Sequence, residues 1–307
     1  MPEKYQAPAG MASPREETRR AQVSSKDKQA IILAFVNQKG GTGKTTTTQN
    51  LAVCFASRYG QRVLCLDLDP QGNLGQGLLP APINTAKTAD RLLLVPSANV
   101  TEYIIPLRPG VDLIPNRFQR ELHEGVNRLP ICGDLLRKHL SPVLTKYDYV
   151  LIDTPAGLCK STGIGIDAAD QVMIVLSCGK YALRGMAAII DWMSENSTQL
   201  RKAMPRIKIV LNNYDERRRY DREFKQEVEY IFGEDLYQTQ IRTTVRIVEA
   251  SAQSMAAVEL SQMNIGATDF NLLSREILGL PLTAEAPADA TAEDESQVAP
   301  KLLKLVS

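Results

Sequence analysis

A glycine-rich segment with two lysines stands where an apolar run gives way to a helical pattern. It comprises Asn37-Gln-Lys-Gly-Gly-Thr-Gly-Lys-Thr-Thr-Thr-Thr48. Such a loop can turn its backbone N–H groups inward to form an anion-binding nest, and the helix that follows directs the positive end of its dipole to the same place. We therefore predict a nucleotide-phosphate loop in which Lys44 reaches the β- and γ-phosphates and the Thr45 hydroxyl ligates Mg²⁺.

The loop departs from the strict motif G-x-x-x-x-G-K-[ST] in one position. Gln38 occupies the place of the first glycine, and a second lysine, Lys39, stands five residues before Lys44. A glycine-rich turn between a strand and a helix can also serve packing alone, with a lysine that is merely exposed. The strand before this loop and the helix after it favour phosphate binding over packing.

Three aspartates at the ends of apolar runs provide the acids that a nucleotide hydrolase needs. Asp67 and Asp69 follow one run, in Leu64-Cys-Leu-Asp-Leu-Asp, and Asp153 closes another, in Tyr149-Val-Leu-Ile-Asp. Ligands of open α/β sheets lie at the carboxyl ends of the strands, so these acids should converge beside the phosphate loop and hold Mg²⁺ there. The alternative is that each acid only caps the turn that follows it.

The positions of the strands and helices come from the hydrophobic pattern. Short, β-branched runs without polar alternation indicate strands that are buried on both faces. Amphipathic stretches between them, several ending at glycine, indicate helices. We predict strands at 31–36, 62–67, 111–115, 147–153, 171–177, 207–212 and 236–241, and helices at 45–59, 181–194, 220–232 and 271–278. This alternation predicts an α/β fold, a mostly parallel twisted sheet with helices on both faces, in one domain over residues 30–280.

The composition limits the classes of function. The chain has 307 residues, 44% of them hydrophobic, and a net charge of +1, so bulk charge indicates no partner. No apolar run approaches the roughly 20 residues of a membrane span, and residues 1–28 lack the apolar centre of a secretory signal. The five cysteines are scattered without a C-x-x-C pair, which argues against disulfides and zinc and for a reduced, cytoplasmic setting. We expect residues 1–29 to form a flexible tail and residues 281–307 a disordered acidic linker with a short terminal segment.

Several segments together resemble one protein family. The loop with two lysines, Asp67-Leu-Asp-Pro-Gln-Gly-Asn73 and Ile152-Asp-Thr-Pro-Ala-Gly157 are similar to the ParA/Soj partition ATPases of the deviant Walker A class, with MinD a more distant relative. The resemblance extends over nearly all of residues 31–280. It implies ATP and Mg²⁺ as ligands, a homodimer that sandwiches two ATP molecules, and weak ATP hydrolysis that a partner protein stimulates.

The resemblance also implies a role for each motif residue. Lys39 is the signature lysine that reaches the partner's phosphates, Lys44 and Asp69 are the other catalytic residues, and Asp69 positions water. Thr45, Asp67 and Asp153 belong to the Mg²⁺ site. The predicted nucleotide-binding residues are Gly40, Gly41, Thr42, Gly43, Lys44, Thr45, Thr46, with Thr46 at the α-phosphate, and Asn212 beside the adenine. Two departures, Ala156 and Arg242 in place of prolines, put the details of the adenine pocket in doubt.

A cluster of arginines is the candidate DNA-binding surface. We predict that Arg217, Arg218, Arg219 and Arg222 contact the phosphates of non-specific DNA, as basic residues in this part of the chain do in ParA relatives. A dimer would double these contacts and make the affinity ATP-dependent and salt-sensitive. Because acids stand among the arginines, an exposed helix face with i,i+4 ion pairs is the alternative.

We predict an ATPase of the cytoplasm and nucleoid that partitions a plasmid or chromosome with a ParB-like activator. One alternative is the positioning of a protein cargo on the nucleoid; another is a MinD-like switch whose Lys301–Ser307 segment binds membrane, which is disfavoured because the segment is short. Cys132 and Cys159 lack the flanking sequence of an iron–sulfur reductase, and the terminus lacks the tyrosines of a related kinase class. Asp69 argues against a scaffold without turnover. His123 and His139 are expected to be exposed, and Cys54, Cys65 and Cys178 to be buried thiols.

Overall fold

The computed structural model describes residues 29–79, 85–130, 134–197, 204–261 and 264–282. The predictions for the tail 1–29 and the segment 281–307 therefore lie outside the described residues, apart from Gln29 and the pair Pro281–Leu282. Cys132 also lies outside them. Within the described ranges, no helix is long and apolar enough to cross a lipid bilayer.

An eight-stranded sheet forms the centre of the fold, in the order β3-β4-β2-β5-β1-β6-β7-β8. Every neighbouring pair is parallel except β3 and β4. The mostly parallel α/β sheet predicted from the sequence is thus confirmed. Strands β1 to β8 span Ile31–Val36, Val63–Asp67, Ile105–Arg108, Val111–Ile114, Tyr149–Asp153, Gln171–Ser177, Arg206–Tyr214 and Ile241–Arg242.

Helices cover both faces of the sheet. The helix that follows the phosphate loop, α1, begins after Gly43 and ends before Gly60, whose left-handed backbone lets the N–H of Gln61 reach the carbonyl of Phe55. Helices α1 to α11 span Lys44–Tyr59, Asn73–Gln76, Ala89–Leu94, Arg120–Arg128, Leu135–Leu140, Lys160–Ala168, Ala182–Glu195, Arg219–Phe232, Val245–Ala252, Ala257–Leu260 and Ile265–Ile277.

Alternation along β1 divides the core into two layers. Ile32, Ala34 and Val36 belong to a cluster with the side chains of α3 to α8, while Leu33 and Phe35 belong to a cluster with α1, α10 and α11. Successive side chains of a strand point to opposite faces, so a strand covered on both sides must be apolar throughout. This double burial fixes β1 in the middle of the sheet and with it the phosphate loop that follows.

Several sequence predictions are wrong in detail. The strand predicted at 236–241 is reduced to β8 and one bridge between Leu236 and Ile209, because the N–H groups of Gln238 and Thr239 donate to the Glu276 carboxylate instead of to a strand. The last helix, predicted from residue 271, begins at Ile265 after an Asn264 cap. His139 is buried and His123 half-buried, although both were predicted to be exposed. Desolvation lowers the pKa of His139.

Candidate active site

The phosphate loop occupies residues 37–43, between β1 and α1. Gly41 and Gly43 have φ angles of 74° and 91°, a region that favours glycine. Gly43 also has no room for a side chain, because an added Cβ would lie 2.0 Å from Nδ2 of Asn212. No acidic residue stands in the first turn of α1. The N-terminal N–H groups and helix dipole therefore present uncompensated positive potential at this end of the helix.

Two asparagines hold the loop in place. Asn37 donates from its side chain to the carbonyl of Val175 at 2.6 Å and accepts from the backbone N–H of Lys39 at 2.9 Å. Asn212, buried at the end of β7, donates to the carbonyl of Thr42 at 2.7 Å. In this structure Asn212 thus braces the phosphate loop, and its predicted role beside adenine stays a prediction.

A cleft of about 490 Å³ opens beside the loop. Its walls come from the loop, the start of α1, the segment after β2, and Ala156 and Ser251. Of the sequence-predicted residues, the cleft brings together Gly40, Gly41, Gly43, Lys44, Thr45, Thr46 and Asp69. Its volume lies in the range typical of small-molecule sites.

Lys44 is the buried cation of this cleft. Its side chain is largely withdrawn from solvent, and burial lowers its pKa, while the charges of Asp153 and Asp69 oppose that shift. A partly desolvated ammonium group interacts strongly with any anion that enters, because little water screens it. The position suits a phosphate ligand.

Asp153 and Asp67 lie side by side at the ends of β5 and β2, where their Cα atoms are register partners. Both carboxylates are fully buried. Burial raises the pKa of each above its ordinary range; the Asp153 charge raises that of Asp67 further, whereas the Thr45 hydroxyl and Lys44 oppose the shift at Asp153. Two buried like charges this close favour a state in which a cation or proton accompanies them.

The residues present fit a magnesium ion. The Thr45 hydroxyl donates to Oδ2 of Asp153 at 2.7 Å, and the other oxygen, Oδ1, is buried without a partner. A buried carboxylate oxygen without a donor is costly unless a ligand completes it. Among the described residues no group of three or more His, Cys, Asp or Glu forms a protein-only metal cage. Mg²⁺ commonly takes one or two protein oxygens and completes its shell with water and phosphate.

The segment after β2 carries Asp69 into the cleft. The Asp67 carboxylate accepts from the backbone N–H of Asp69 at 2.9 Å and from that of Leu74 at 3.2 Å. Gly72 packs so closely that an added Cβ would lie 2.5 Å from the carbonyl oxygen of Asn116. Asp67 therefore shapes the turn from which Asp69 reaches the wall of the cleft, rather than lining the cleft itself.

A second cleft of about 420 Å³ lies on the other side of the phosphate loop. It is lined by Lys39, which is exposed, by Thr42, and by Lys180 and Arg184 near the start of α7. Thr42 thus faces a different cleft from the other predicted nucleotide-binding residues. Lys39 is accessible to a second molecule that approaches this side of the loop.

The four predicted DNA-binding arginines cluster at the start of α8, and all are exposed. Each has a partner within the chain: Arg217 and Arg218 pair with Asp215, Arg219 pairs with Glu223, and Arg222 donates to a backbone carbonyl. Exposed ion pairs of this kind contribute little to stability and exchange readily. The pairing fits the alternative of a solvated helix face and leaves DNA binding a prediction.

Arg242 has a structural role. Its guanidinium and backbone N–H donate hydrogen bonds to the buried carboxylate of Asp269, at distances of 2.6–3.1 Å, and so connect β8 to α11.

The Lys301–Ser307 segment considered for membrane binding lies outside the described ranges. Cys54 and Cys65 are buried as predicted, whereas Cys178 is only half-buried.

Sequence reasoning missed Gln49, which lines the cleft and bonds to the segment after β2. It also missed the buried pair Asp90 and Asn116 behind that segment. Nothing in the spacing of these residues distinguishes them from ordinary helix and loop positions. Only the packing of α1 against the segment reveals them.

Comparisons with known proteins agree with this geometry. A family model described as an AAA domain matches residues 30–206. The sporulation initiation inhibitor protein Soj of Bacillus subtilis is 32% identical over 251 residues, which cover 80% of this chain and 97% of Soj. The chromosome partitioning protein ParA of Caulobacter vibrioides is 30% identical over 264 residues, which cover 84% of this chain and 97% of ParA.

A solved structure shares the fold. The septum site-determining protein MinD from Pyrococcus horikoshii, complexed with Mg-ADP, aligns with a TM-score of 0.65 at 25% identity. The alignment covers 81% of this chain and 96% of that protein.

Proposed function

Because the chain belongs to the ParA/MinD superfamily of P-loop ATPases, we propose that it is an ATP-dependent dimerising ATPase that binds non-specific DNA and positions or segregates a cargo. The observation that carries the proposal is a cleft lined by the phosphate loop, buried Lys44, Thr45 and Asp69, with the Thr45 hydroxyl bonded to the buried carboxylate of Asp153. The relative named chromosome partitioning protein ParA supports chromosome partition as the first candidate task, and partition of a plasmid is the same task on a smaller DNA.

The phosphate loop binds the nucleotide. Backbone N–H groups of Gly40 to Gly43 and the first turn of α1 donate to phosphate oxygens, and Lys44 neutralises the β- and γ-phosphates. Thr46, which lines the same cleft, lies one residue deeper in the helix and takes the α-phosphate. Asn212 keeps the loop in its binding conformation through its bond to Thr42.

Thr45 and Asp153 hold Mg²⁺, with Asp67 supporting them from the neighbouring strand. When bound, Mg²⁺ supplies positive charge that offsets the charge developing on the phosphate oxygens. The Oδ1 atom of Asp153, which has no hydrogen-bond partner, would be the oxygen that gains one when the ion and its water bind. The buried carboxylates of Asp153 and Asp67 stay ionised more readily once the cation is present.

Asp69 prepares the hydrolytic water. A half-buried carboxylate on the cleft wall accepts a hydrogen bond from the water and orients it toward the γ-phosphate. Its turn is fixed by the Asp67 carboxylate and by the N–H of Gln71, which donates to Asp69 at 2.9 Å. Lys44 stabilises the charge on the transferred group from the opposite side.

Lys39 couples ATP to dimerisation. It is exposed at the rim of the loop, where it can reach phosphates that a second copy of the chain holds. A cation there lowers the repulsion between two nucleotide-loaded subunits and stabilises the transition state. ATP then holds the dimer together, and hydrolysis releases it.

Dimerisation controls DNA binding. One copy of the exposed arginine cluster makes few phosphate contacts, whereas two copies on one dimer double them and steepen the salt dependence. A ParB-like activator, bound to a plasmid or chromosome, would stimulate ATP hydrolysis. Hydrolysis would then separate the dimer and release its subunits from the nucleoid into the cytoplasm. The alternative task is the positioning of a protein cargo on the nucleoid, and a membrane-bound switch is the remaining one.

The test measures binding to random-sequence DNA and to anionic liposomes, with ADP and with ATP, for the wild type, Lys39→Ala and Lys44→Ala. We expect salt-sensitive DNA binding with ATP only, lost in both variants, with nucleotide affinity retained in Lys39→Ala and abolished in Lys44→Ala. ATP-dependent liposome binding without DNA binding would overturn the proposal. Unchanged nucleotide affinity in Lys44→Ala would disprove the phosphate-loop assignment.

A further inference from the structure

Gln49 joins the phosphate-loop helix to the segment that carries Asp69. Its side-chain amide donates to the backbone carbonyls of Asn73 at 3.1 Å and Leu74 at 2.9 Å. The side chain is buried, at 5% exposure. One amide therefore uses both of its N–H groups on a neighbouring segment and none on its own helix.

Gly77 leaves the space that this amide occupies. A Cβ added to Gly77 would lie 2.1 Å from Nε2 of Gln49. The backbone of Gly77 is right-handed, with φ −76° and ψ −1°, so its conformation does not require glycine. What the position requires is room for the Gln49 side chain.

Gln49 and Thr45 lie four residues apart on α1 and so share one face of the helix. Thr45 bonds to Asp153 at the end of β5, and Gln49 bonds to α2, which follows the Asp69 turn. The same segment is held at its other end by the Asp67 carboxylate. One face of the helix after the phosphate loop thus contacts both the end of β5, which carries Asp153, and the segment that carries Asp69 into the cleft.

We propose that Gln49 is a positioning residue that couples occupancy of the phosphate loop to the placement of Asp69, and so sets the turnover of bound ATP rather than its affinity. The inference rests on the proposed ATPase function. Any small displacement of α1 when phosphates bind its N-terminus is passed to α2 through two hydrogen bonds. Asp69 and α1 then move together when the nucleotide binds.

Three variants interrupt this coupling in different ways. Gln49→Met keeps the length and removes both donors, Gln49→Glu replaces them by acceptors that repel the carbonyls, and Gly77→Ala displaces the amide with a methyl group. In each we expect single-turnover hydrolysis to fall roughly tenfold, which corresponds to about 1.4 kcal/mol, with ATP affinity within about twofold of wild type. In Gln49→Glu the deficit should shrink as the pH falls, because a protonated carboxyl can donate again.

The matched control is Asn50→Leu. Asn50 is a buried amide on the same helix that accepts from the N–H of Ala257 in α10 and donates to the backbone carbonyl of Thr46 within α1, rather than to the Asp69 segment. Its loss should lower the melting temperature as much as Gln49→Met does, while turnover of bound ATP stays at the wild-type value. Equal losses of turnover in both variants would mean that Gln49 only supports the helix.

Hydrogen exchange gives a readout independent of turnover. With a non-hydrolysable ATP analogue and Mg²⁺, residues 68–77 should become protected in wild type and Asn50→Leu, and less so in Gln49→Met. If wild type hydrolyses ATP and Gln49→Met turns it over at the same rate, or loses affinity in proportion to rate, the inference is wrong. If wild type neither binds nor hydrolyses ATP, the proposed function fails instead.

Discussion

The Thr45 hydroxyl lies 2.7 Å from Oδ2 of Asp153, and Oδ1 of the same carboxylate is buried with no partner. This contact joins the first turn of α1 to the end of β5, a strand that pairs with β1 in the sheet although it lies far away in the sequence. Hydroxyl and carboxylate oxygens are ligand types that Mg²⁺ takes from proteins, so Thr45 and Asp153 would hold the ion from two different elements.

We expect Thr45→Val to weaken Mg²⁺-dependent ATP binding at least about tenfold, because it removes one metal ligand and keeps the side-chain shape. Thr45→Ser should retain most of the affinity. Thr47→Val is the matched control, since the buried Thr47 hydroxyl lies on the same helix without a partner. Calorimetric titration of ATP with and without Mg²⁺ measures the difference. Equal Mg²⁺ dependence in Thr45→Val and wild type would contradict the assignment of this ligand.

If Asp69 has the proposed role, Asp69→Ala should abolish hydrolysis and leave ATP binding intact, because the carboxylate would orient water without contacting the phosphates. We expect the rate to fall by a factor of about 10² or more, and the ATP-bound dimer to accumulate on DNA. Measurements of phosphate release, together with DNA co-sedimentation in ATP, separate the two effects. Turnover at the wild-type rate would remove Asp69 from the mechanism.

Asn212→Leu distinguishes a loop brace from an adenine contact. Loss of its bond to the Thr42 carbonyl leaves that carbonyl only the longer bond from the Ser177 hydroxyl, at 3.4 Å. Because a buried hydrogen bond contributes about 1 kcal/mol, affinity for ATP and GTP should fall alike, by roughly tenfold. If Asn212 reads the base, ATP affinity alone should fall and GTP should bind as before. Competition between fluorescent ATP and GTP analogues decides between the two roles.

The arginine cluster is tested by replacing Arg217, Arg218, Arg219 and Arg222 with glutamine. DNA affinity in ATP should fall, and the slope of log affinity against log salt should become shallower by several units for the dimer. Arg120→Gln with Arg128→Gln is the control, because both arginines are equally exposed and ion-paired, on α4. An unchanged salt slope in the fourfold variant would place the DNA contact elsewhere.

The burial of the Asp90 carboxyl leads us to expect that the free energy of unfolding depends on pH. Burial raises the pKa of Asp90, although the Asn116 hydrogen bond and the His123 charge oppose the shift, and its Oδ2 is buried without a partner. The folded protein therefore binds the proton of the Asp90 carboxyl more tightly than the unfolded chain does. This protonation contributes fully to the free energy of unfolding below about pH 4, and its contribution is lost as the pH rises through the folded-state pKa of Asp90.

Asp90→Asn should therefore become more stable than wild type as the pH rises, by ~1 kcal/mol at pH 8. Urea unfolding of both proteins at several pH values from pH 4 to pH 8 measures this difference. Asp112→Asn, on a half-buried carboxylate that accepts from the Tyr147 hydroxyl, provides a comparison with a different partner. A difference between Asp90→Asn and wild type that does not change with pH would show that Asp90 is not the titrating group.

The elements nearest the cleft could be predicted from the sequence because their patterns are local and strong. The apolar run of β1, the glycines of the loop and the Gly60 stop define α1 and its neighbours within one or two residues. The short strand β3 was missed, since it contains Pro106 and pairs with β4 at the edge of the sheet, where burial is incomplete. A strand of this length at the edge of a sheet has no hydrophobic periodicity by which the sequence could reveal it.

Contacts between segments remote in sequence could not be predicted. The bond of Gln49 to the Asp69 segment, the brace of Asn212 on the loop and the ion pair of Arg242 with Asp269 all depend on which helix packs on which strand. Likewise, the carboxylate of Glu276 takes the N–H groups that a strand at 236–241 would have used. Residue type and spacing constrain local structure, whereas these partners follow only from the tertiary arrangement.

The central place of β1 also affects the synthesis of the protein. Its two neighbours come from much later in the chain, Ile31 pairing with Tyr149 and Leu33 with Gln171. A ribosome that adds about 5–20 residues per second needs several seconds to supply either neighbour. During that time both edges of β1 are exposed and the nascent phosphate loop has no Asp153 beside it. The amino-terminal half should therefore depend on chaperones during translation, and the nucleotide site matures only after β5 and β6 have emerged.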